Sequence, residues 1–223
     1  LGGQANPGVT IRSIINRGGE QGAQHSQALH AWFAHVPGLR VVMPSTVADA
    51  RDLLIASVLC NDPVMYIDDR WLYDQEDDLP PVVELDLTNQ QPVVSIVGSD
   101  ITIVASGHAS LLAREAAEQL KNEGILVEVV DIRVLNPFHA EEIIKSVKKT
   151  KNLLAIDSGW ISGGFSAEII AKVVEQLPVD CLNNPPTRLA LPDAPAPVSR
   201  VLEKAYYTTT DDVVNIVKKI VKS

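Results

Sequence analysis

Short apolar runs separated by glycine, proline and polar residues predict the elements of the first third of the chain. Residues 9–15, 40–43 and 64–67 each have the composition of a buried strand. Ser45 or Thr46 can cap a helix before the third strand. The apolar residues expected on the buried side of this helix are Ala48, Leu53, Leu54, Ala56 and Val58. Strand, helix and strand at this spacing indicate a parallel sheet with right-handed crossovers.

A glycine-rich loop, residues 18–22, leads from the first predicted strand into a helical pattern. Its glycines permit turns and close approaches that a side chain would block. Beyond the loop, apolar residues recur at helical spacing and predict a single buried face formed by Ala28, Leu29, Trp32, Phe33 and Val36. His25 is therefore expected where the loop turns into a helix, a position at which free backbone N–H groups can bind an anion.

The second half of the chain alternates buried strands with helices, which predicts an α/β domain of three layers. Strands are expected at residues 101–106, 126–130 and 153–156, and helices at 109–122 and 162–177, with two more that begin near Glu141 and Asp211. Residues 76–100 have few apolar anchors and are expected to form a linker with a short strand at 93–97. The predicted fold class is thus α/β, with a parallel-sheet domain over residues 1–75 and the three-layer domain over residues 101–223.

Composition narrows the classes of function. With 46% hydrophobic residues, the 223-residue chain can form a substantial core. Its formal charge of −9 argues against nucleic acid or an anionic membrane as a partner. No apolar run is long enough to span a bilayer, and no signal peptide is recognisable. Cys60 and Cys181 lie far apart without metal-ligand spacing, which favours reduced thiols in a cytoplasmic protein.

His25 is the leading candidate for chemistry. A single histidine is more often structural than catalytic. Here, however, Gln24, Ser26 and Gln27 surround it with hydrogen-bond donors and acceptors, directly after the glycine-rich loop. Ser26 and His25 are not expected to act as a nucleophile and its base, because adjacent residues rarely face each other and no G-x-S-x-G motif is present.

Two other groups of residues have simpler structural explanations. Gly159, Gly163 and Gly164 are followed by no GK[ST] and form no GxGxxG, so close helix packing is favoured over phosphate binding. Asp131 and Arg133 are expected to form a structural ion pair, with an active-site clamp as the alternative.

The acidic residues and the remaining histidines also suggest no chemistry by themselves. The acidic residues within 68–78 lack the glycine and glutamate spacing of a calcium loop, so they are expected to be solvated. His35 is expected to make a structural hydrogen bond. His108 and His139 are expected to cap helices or to be exposed.

Three segments carry a family resemblance: GAQHSQ, AWFAHVPGLRVVMPST and LPDAPAPVSRVLEKAY. They resemble the beta subunit of the E1 component of thiamine-diphosphate-dependent 2-oxoacid dehydrogenases, and the resemblance extends over nearly the whole chain. It implies that residues 1–75 are the C-terminal half of a pyrimidine-binding domain and that residues 101–223 are a transketolase C-terminal-type domain. The opening residues look like the middle of the first domain. The resemblance therefore implies an N-terminally truncated subunit with an unpaired sheet edge at residues 9–15.

The same resemblance implies a function and a site. The family oxidatively decarboxylates a 2-oxoacid, with pyruvate as the first candidate here, and passes the acyl group to the lipoamide of E2. His25 would donate a proton or stabilise an anion near substrate and cofactor, beside Gln24, Ser26 and Gln27. Thiamine diphosphate and its Mg²⁺ would be held mainly by an alpha subunit and by the missing N-terminal half. The fragment alone is therefore expected to be inactive.

The partners implied are an E1 alpha subunit and a second beta subunit in a heterotetramer, and the E2 lipoyl acyltransferase, with no nucleic acid and no membrane. Ser57, Cys60 and Asp62 lie in a stretch that holds a monovalent cation in some members, which makes them a candidate K⁺ loop. Cys60, however, stands where aspartate is usual. His30 likewise stands where an acid is common, and His139 where an aspartate cap is usual.

Three alternatives stay open at this point. The chain could be a non-catalytic fragment for assembly and E2 docking. It could be the E1 beta subunit of a branched-chain 2-oxoacid or acetoin dehydrogenase. It could also be a transketolase or a deoxyxylulose-phosphate synthase, although those proteins use sugar phosphates and do not carry GAQHSQ in this form.

Overall fold

The computed structural model describes residue 4, residues 7–178 and residues 180–222. The strands are β1 Thr10–Ile15, β2 Arg40–Val42, β3 Val64–Asp69, β4 Val93–Ile96, β5 Ile101–Ala105, β6 Val127–Asp131, β7 Val134–Asn136, β8 Leu153–Trp160 and β9 Thr187–Leu191. The helices are α1 Gly22–His25, α2 His30–Ala34, α3 Val47–Leu59, α4 His108–Lys121, α5 Glu141–Thr150, α6 Phe165–Val174, α7 Arg200–Tyr206 and α8 Thr210–Val221. A 3-10 turn at Arg70–Leu72 follows β3.

The first sheet has the strand order β1-β3-β2-β7. β1 and β2 both run parallel to β3, as predicted. Of the described strands, only β3 pairs with β1, so the outer edge of β1 is open, and Ile11 and Ile14 are exposed. β7 belongs to the second half of the chain and pairs antiparallel with β2. The sequence does not predict β7, which therefore joins the two halves in an unexpected way.

One face of the first sheet packs beneath α3. The buried residues of this cluster are Val42, Leu53, Ala56, Val64, Tyr66, Leu87 and Val134. Thr46 caps α3 as predicted, because its hydroxyl accepts a hydrogen bond from the Asp49 N–H at 3.1 Å. Val58, however, is exposed and not on the buried side. Leu87 is a buried apolar anchor within residues 76–100.

The opposite face of the first sheet shares one hydrophobic core with the second half of the chain. The buried residues from the first half are Ile15, Ala28, Val41, Met43, Met65 and Ile67. They pack in one cluster with residues of the second half such as Val104, Val130, Ile143 and Ile169. Each fully buried aliphatic side chain contributes about 1.5–3 kcal/mol relative to exposure. The two halves therefore stabilise each other.

The second sheet forms the predicted three-layer domain. Its strand order is β4-β6-β5-β8-β9, in which only β4 is antiparallel to its neighbour. α4 and α8 pack on one face of the sheet, and α5 and α6 pack on the other. α8 begins with a capping box of Thr209 and Asp212. β9 and α7 are further elements that the sequence does not predict, and β8 extends beyond the predicted residues 153–156.

The predicted helix with a single apolar face over residues 28–36 is wrong. The structure has two short helices here, α1 and α2, joined at residues 26–29. Trp32 is 69% exposed and Val36 is 46% exposed. The buried position of α2 is taken by His30, which is 1% exposed. The orientation of α2 thus depends on the buried polar contact of His30 together with the partly buried Ala31, Phe33 and Ala34, and Trp32 and Val36 do not take part.

Asp131, at the end of β6, connects the two halves through polar contacts. Its carboxylate accepts hydrogen bonds from the hydroxyl of Ser45 in the first half and from that of Ser110 in α4, the latter at 2.8 Å. Arg114 lies 3.7 Å away. The expected Asp131–Arg133 ion pair is wrong, because Arg133 pairs with an acid of α3 instead. Burial raises the pKa of Asp131 to about 6, and the two serine hydroxyls only partly oppose this rise.

This raised pKa predicts a pH dependence of stability. Between about pH 4 and about pH 6 the folded protein keeps a proton on Asp131 that the unfolded chain releases, so rising pH destabilises the fold by about 1.4 kcal/mol per pH unit. Asp131→Asn should remove this contribution, as measured by urea unfolding across that pH range. Asp78→Asn, at an exposed position, is the control. An unchanged slope in Asp131→Asn would contradict the assignment.

Candidate active site

His25 lies in an open polar cleft at the carboxyl ends of β1 and β3, with a volume of about 610 Å³. The cleft is lined by Ser13, Ile14, Asn16, Gln24, His25, Gln27, Leu29, Arg70 and Tyr73. Open α/β sheets characteristically bind ligands beyond the carboxyl ends of their parallel strands. Three of the four residues expected around the site, Gln24, His25 and Gln27, are thus brought together and exposed.

Backbone and side-chain contacts to Asn16 fix the position of His25. The Asn16 N–H donates to the His25 carbonyl at 3.1 Å, and the Ser26 hydroxyl donates to the Asn16 carbonyl at 2.7 Å. Ser26 is buried, so it anchors the segment and does not line the cleft. His25 is the last residue of α1, and the expectation that it begins a helix is wrong. The site therefore offers the imidazole at the C-terminal end of α1.

Arg70 is a site residue that sequence reasoning misses. It lines the same cleft as His25, and its Nη1 donates to the Asn16 side-chain oxygen at 3.2 Å. Arg70 directly follows β3, and Asn16 directly follows β1. Parallel pairing of the two strands brings their following residues together, which could have been the signal. An exposed cation beside an imidazole suits an anionic ligand such as a carboxylate.

The two acids at the end of β3 are structural, so the expectation that they are solvated is wrong. Asp69 is 1% exposed and forms an ion pair with the buried Arg17 at 2.6 Å. The Arg17 guanidinium lies 5.5 Å from the ring centre of Trp71, a cation–π contact. Asp68 pairs with Arg12 at 2.6 Å. Residues 74–78 are exposed, as expected.

Three further histidines differ from expectation. His108 is buried against Trp71, with ring centres 4.9 Å apart, and burial lowers its pKa to about 3. His139 hydrogen-bonds the Thr88 carbonyl at 2.9 Å and caps no helix. His35 is exposed and makes no side-chain hydrogen bond to the described residues. None of the three lines the cleft of His25.

A buried hydrogen bond between the His30 ring and the Asp157 carboxylate holds α2 on the second domain. Nε2 of His30 lies 2.9 Å from Oδ1 of Asp157. The Asp157 carboxylate also accepts hydrogen bonds from the N–H groups of Gly159 and Ser166, each at 2.8 Å. Burial opposes ionisation of Asp157, but His30 and these N–H groups together lower its pKa. Gln27 and Leu29, which line the cleft, lie within three residues of His30. The contact between His30 and Asp157 therefore also fixes one side of the cleft.

Close packing explains Gly159 in β8 and Gly164 after it, as expected, but it does not explain Gly163, where a Cβ would meet nothing within 4 Å and the φ of +66° favours glycine. A Cβ on Gly159 would lie 3.3 Å from the Ala28 carbonyl oxygen and 3.3 Å from Cε1 of His30. A Cβ on Gly164 would collide with the Trp160 carbonyl oxygen. Gly159 therefore allows β8 to approach the segment at α2, and Gly164 allows the tight turn between β8 and α6.

The buried pair predicts a large effect of one substitution. His30→Ala leaves the Asp157 carboxylate buried without its partner, which should lower the free energy of unfolding by about 3 kcal/mol. Urea unfolding at neutral pH measures this value. His35→Ala, at the exposed end of the same segment, should change it by less than about 0.5 kcal/mol. Equal effects of the two substitutions would show that the His30–Asp157 contact adds no stability.

The candidate K⁺ loop has its polar groups engaged within the protein. The Ser57 carbonyl accepts from the Thr10 hydroxyl at 2.7 Å, and the Asp62 carboxylate is paired with Arg40 at 2.6 Å. Cys60 is a half-buried free thiol. Within the described residues, no three His, Cys, Asp or Glu side chains are placed to hold a metal ion. Binding of K⁺ stays a prediction.

A histidine cleft at the ends of a parallel sheet, joined to a three-layer α/β domain, defines a two-domain protein of the transketolase class. Residues 1–75 match the family described as "Transketolase, pyrimidine binding domain", and residues 92–213 match "Transketolase, C-terminal domain". The chain belongs to the transketolase family. The expected fold class is thereby confirmed.

Relatives place the chain more closely. It is 34% identical over 219 residues to the pyruvate dehydrogenase E1 component subunit beta of Rhizobium meliloti (strain 1021). This match covers 98% of this chain and 47% of that protein. It is 35% identical over 222 residues to the acetoin:2,6-dichlorophenolindophenol oxidoreductase subunit beta of Bacillus subtilis (strain 168), covering 97% and 63%. The chain thus spans about half to two thirds of these relatives. The resemblance to E1 beta subunits is confirmed.

A solved structure supports the fold alone. A protein described as "Split gene transketolase, inactive beta4 tetramer" matches with a TM-score of 0.78 and 24% identity, over 96% of this chain and 66% of that one. In the described part of the chain, no helix has the length and apolar character needed to cross a membrane.

The described residues do not by themselves fit a whole thiamine diphosphate site. The cleft offers an imidazole, amides and a guanidinium, but none of its lining residues carries a carboxylate. Aspartate, glutamate, histidine and cysteine are also not clustered for a metal ion in the described ranges. Magnesium bound with phosphates needs such oxygen ligands. The cleft alone is therefore not a complete site for thiamine diphosphate and its Mg²⁺.

Proposed function

We propose that this chain is a beta subunit of the E1 component of a 2-oxoacid dehydrogenase and that His25 acts in its active site. The observation that carries the proposal is the exposed imidazole in a polar cleft, in a chain whose relatives include E1 beta subunits. Pyruvate is the first substrate candidate. The acetoin-related relative supports acetoin as an alternative.

The chain's own residues suggest a division of roles. His25 can donate a proton to an anionic oxygen or sulfur, or stabilise it by a hydrogen bond. Arg70, across the cleft, can attract the carboxylate of a 2-oxoacid. Gln24 and Gln27 can hydrogen-bond the substrate, while Ser26 fixes the backbone. Thiamine diphosphate and Mg²⁺ would be held by an E1 alpha subunit and by residues outside this cleft.

We further propose a heterotetramer of two alpha and two beta subunits that transfers its acyl group to the lipoamide of E2. His25→Ala in the reconstituted assembly should lower acyl transfer about 10²- to 10⁴-fold, because a positioned proton donor contributes that factor. Transfer to the E2 lipoyl domain, with pyruvate, a branched-chain 2-oxoacid and acetoin tested separately, is the measurement. His35→Ala is the matched control, since His35 is exposed outside this cleft. Unchanged transfer in His25→Ala would remove His25 from the site.

The chain alone should show no turnover, because its cleft lacks the carboxylates described above. Addition of the E1 alpha subunit should produce turnover with one of the three substrates. If the chain binds the alpha subunit or E2 but no substrate is turned over, the chain is a non-catalytic assembly module instead. Decarboxylation by the isolated chain would contradict the shared site.

A further inference from the structure

The loop that leads into α1 is bound by the C-terminal part of the chain. The N–H of Glu20 donates to both carboxylate oxygens of Glu203 in α7, at 3.1 and 3.2 Å. In return, the N–H of Arg200 donates to Oε1 of Glu20 at 3.3 Å. Residues 180 or more positions apart in sequence thus make reciprocal contacts. These contacts lie only five residues before His25.

The backbone of Glu20 needs these contacts. The φ of Glu20 is +62°, in the left-handed region. Residues other than glycine, asparagine and aspartate rarely adopt this backbone conformation. Such a conformation persists only when the surroundings enforce it. Glu203 is 5% exposed, and a carboxylate that accepts a backbone hydrogen bond makes a strong, charge-assisted contact. The buried Glu203 is therefore placed to hold Glu20 in this conformation.

Two glycines adapt the loop to its neighbours. Gly22 has a φ of +64°, and a Cβ there would lie 2.5 Å from Cγ1 of Val198, just before α7. Gly18 has a φ of +74°, and a Cβ there would lie 2.9 Å from Nε1 of Trp71. Both ends of the loop thus pack closely against side chains. The glycines provide a fixed shape here and not a flexible turn.

We infer that Glu203 is a positioning residue for His25. Gly22 is the first residue of α1 and His25 is the last, so the whole helix is a single turn that follows the loop directly. On its other side, the His25 carbonyl accepts from the Asn16 N–H, and the next residue, Ser26, donates to the Asn16 carbonyl. A loop released from Glu203 would leave the imidazole fixed at one end. Only the catalytic part of this inference rests on the proposed function, since the placement of the loop can be measured without activity.

The first test is hydrogen exchange on the 223-residue chain. Glu203→Ala should speed amide exchange over residues 16–27 about ten-fold, because a strong contact to the loop is lost. Exchange in β5, residues 101–105, should not change. Lys204→Ala, at an exposed position of the same helix, is the control. Glu203→Gln keeps a hydrogen-bond acceptor without the charge, so its exchange rate over residues 16–27 should lie between those of Glu203→Ala and Lys204→Ala. Unchanged exchange over residues 16–27 in Glu203→Ala overturns the inference.

A second substitution separates positioning from general destabilisation. Asparagine tolerates the left-handed conformation better than glutamate does. Glu20→Asn should therefore slow the exchange of residues 16–27 relative to Glu20→Ala, both in the Glu203→Ala background, since both substitutions remove the contact of the Glu20 side chain with Arg200. No slowing in this double variant would show that Glu203 does not act through the Glu20 backbone.

Activity in the reconstituted assembly supplies the third test. If Glu203 acts through His25, Glu203→Ala lowers acyl transfer, and the double variant Glu203→Ala/His25→Ala is no slower than His25→Ala alone. A further loss in the double variant would overturn positioning through His25. Absence of turnover in the unmodified assembly would reject the proposed function, whereas the exchange results would still decide the role of Glu203.

Discussion

The structure depends on one shared hydrophobic core between its two sheets. A single face of the first sheet packs against the strands and helices of the second half, and the short strand β7 extends the first sheet beside β2. The first half of the chain supplies three of the four described strands of the first sheet, and the edge of the sheet at β1 is open. Three strands bury little surface alone. The second half thus provides most of the partner surface that makes the first sheet stable.

The position of the candidate site also depends on the second half of the chain. His25 lies in α1, at the end of the first sheet, yet the segments on either side of it are fixed by residues of the second half. His30 is paired with Asp157, and the side chain of Asn136 donates to the carbonyls at the end of α2. The loop before α1 is bound by α7. Residues of the second half of the chain therefore help to determine where the candidate histidine lies.

The sequence predicts the strands and helices that have a local signal, namely a buried apolar run or charged ends. Buried runs such as residues 101–106 and 153–156 mark strands, and the acidic starts and basic ends of α5 and α8 mark helices. β7 is as short as β2 and is separated from β6 by only two residues, so its sequence gives no sign that it pairs with β2 in the first sheet. The exposure of Trp32 and the burial of His30 depend on a contact with Asp157, over a hundred residues away. Local patterns carry no information about such a contact.

The site was predictable to a similar extent. The resemblance of GAQHSQ to a known family implies that His25, Gln24 and Gln27 belong to one site, and all three line the same cleft. The anchoring role of Ser26, and the presence of Arg70 in the cleft, follow from strand pairing and could not be read from the motif. Glu203 was beyond prediction, because its partner is a backbone N–H in a distant loop.

Differential scanning calorimetry of the chain tests the shared core most directly. If the two sheets depend on one core, unfolding is a single transition whose calorimetric enthalpy equals its van't Hoff enthalpy. Two separate transitions, with the first sheet melting before the second, would contradict the account.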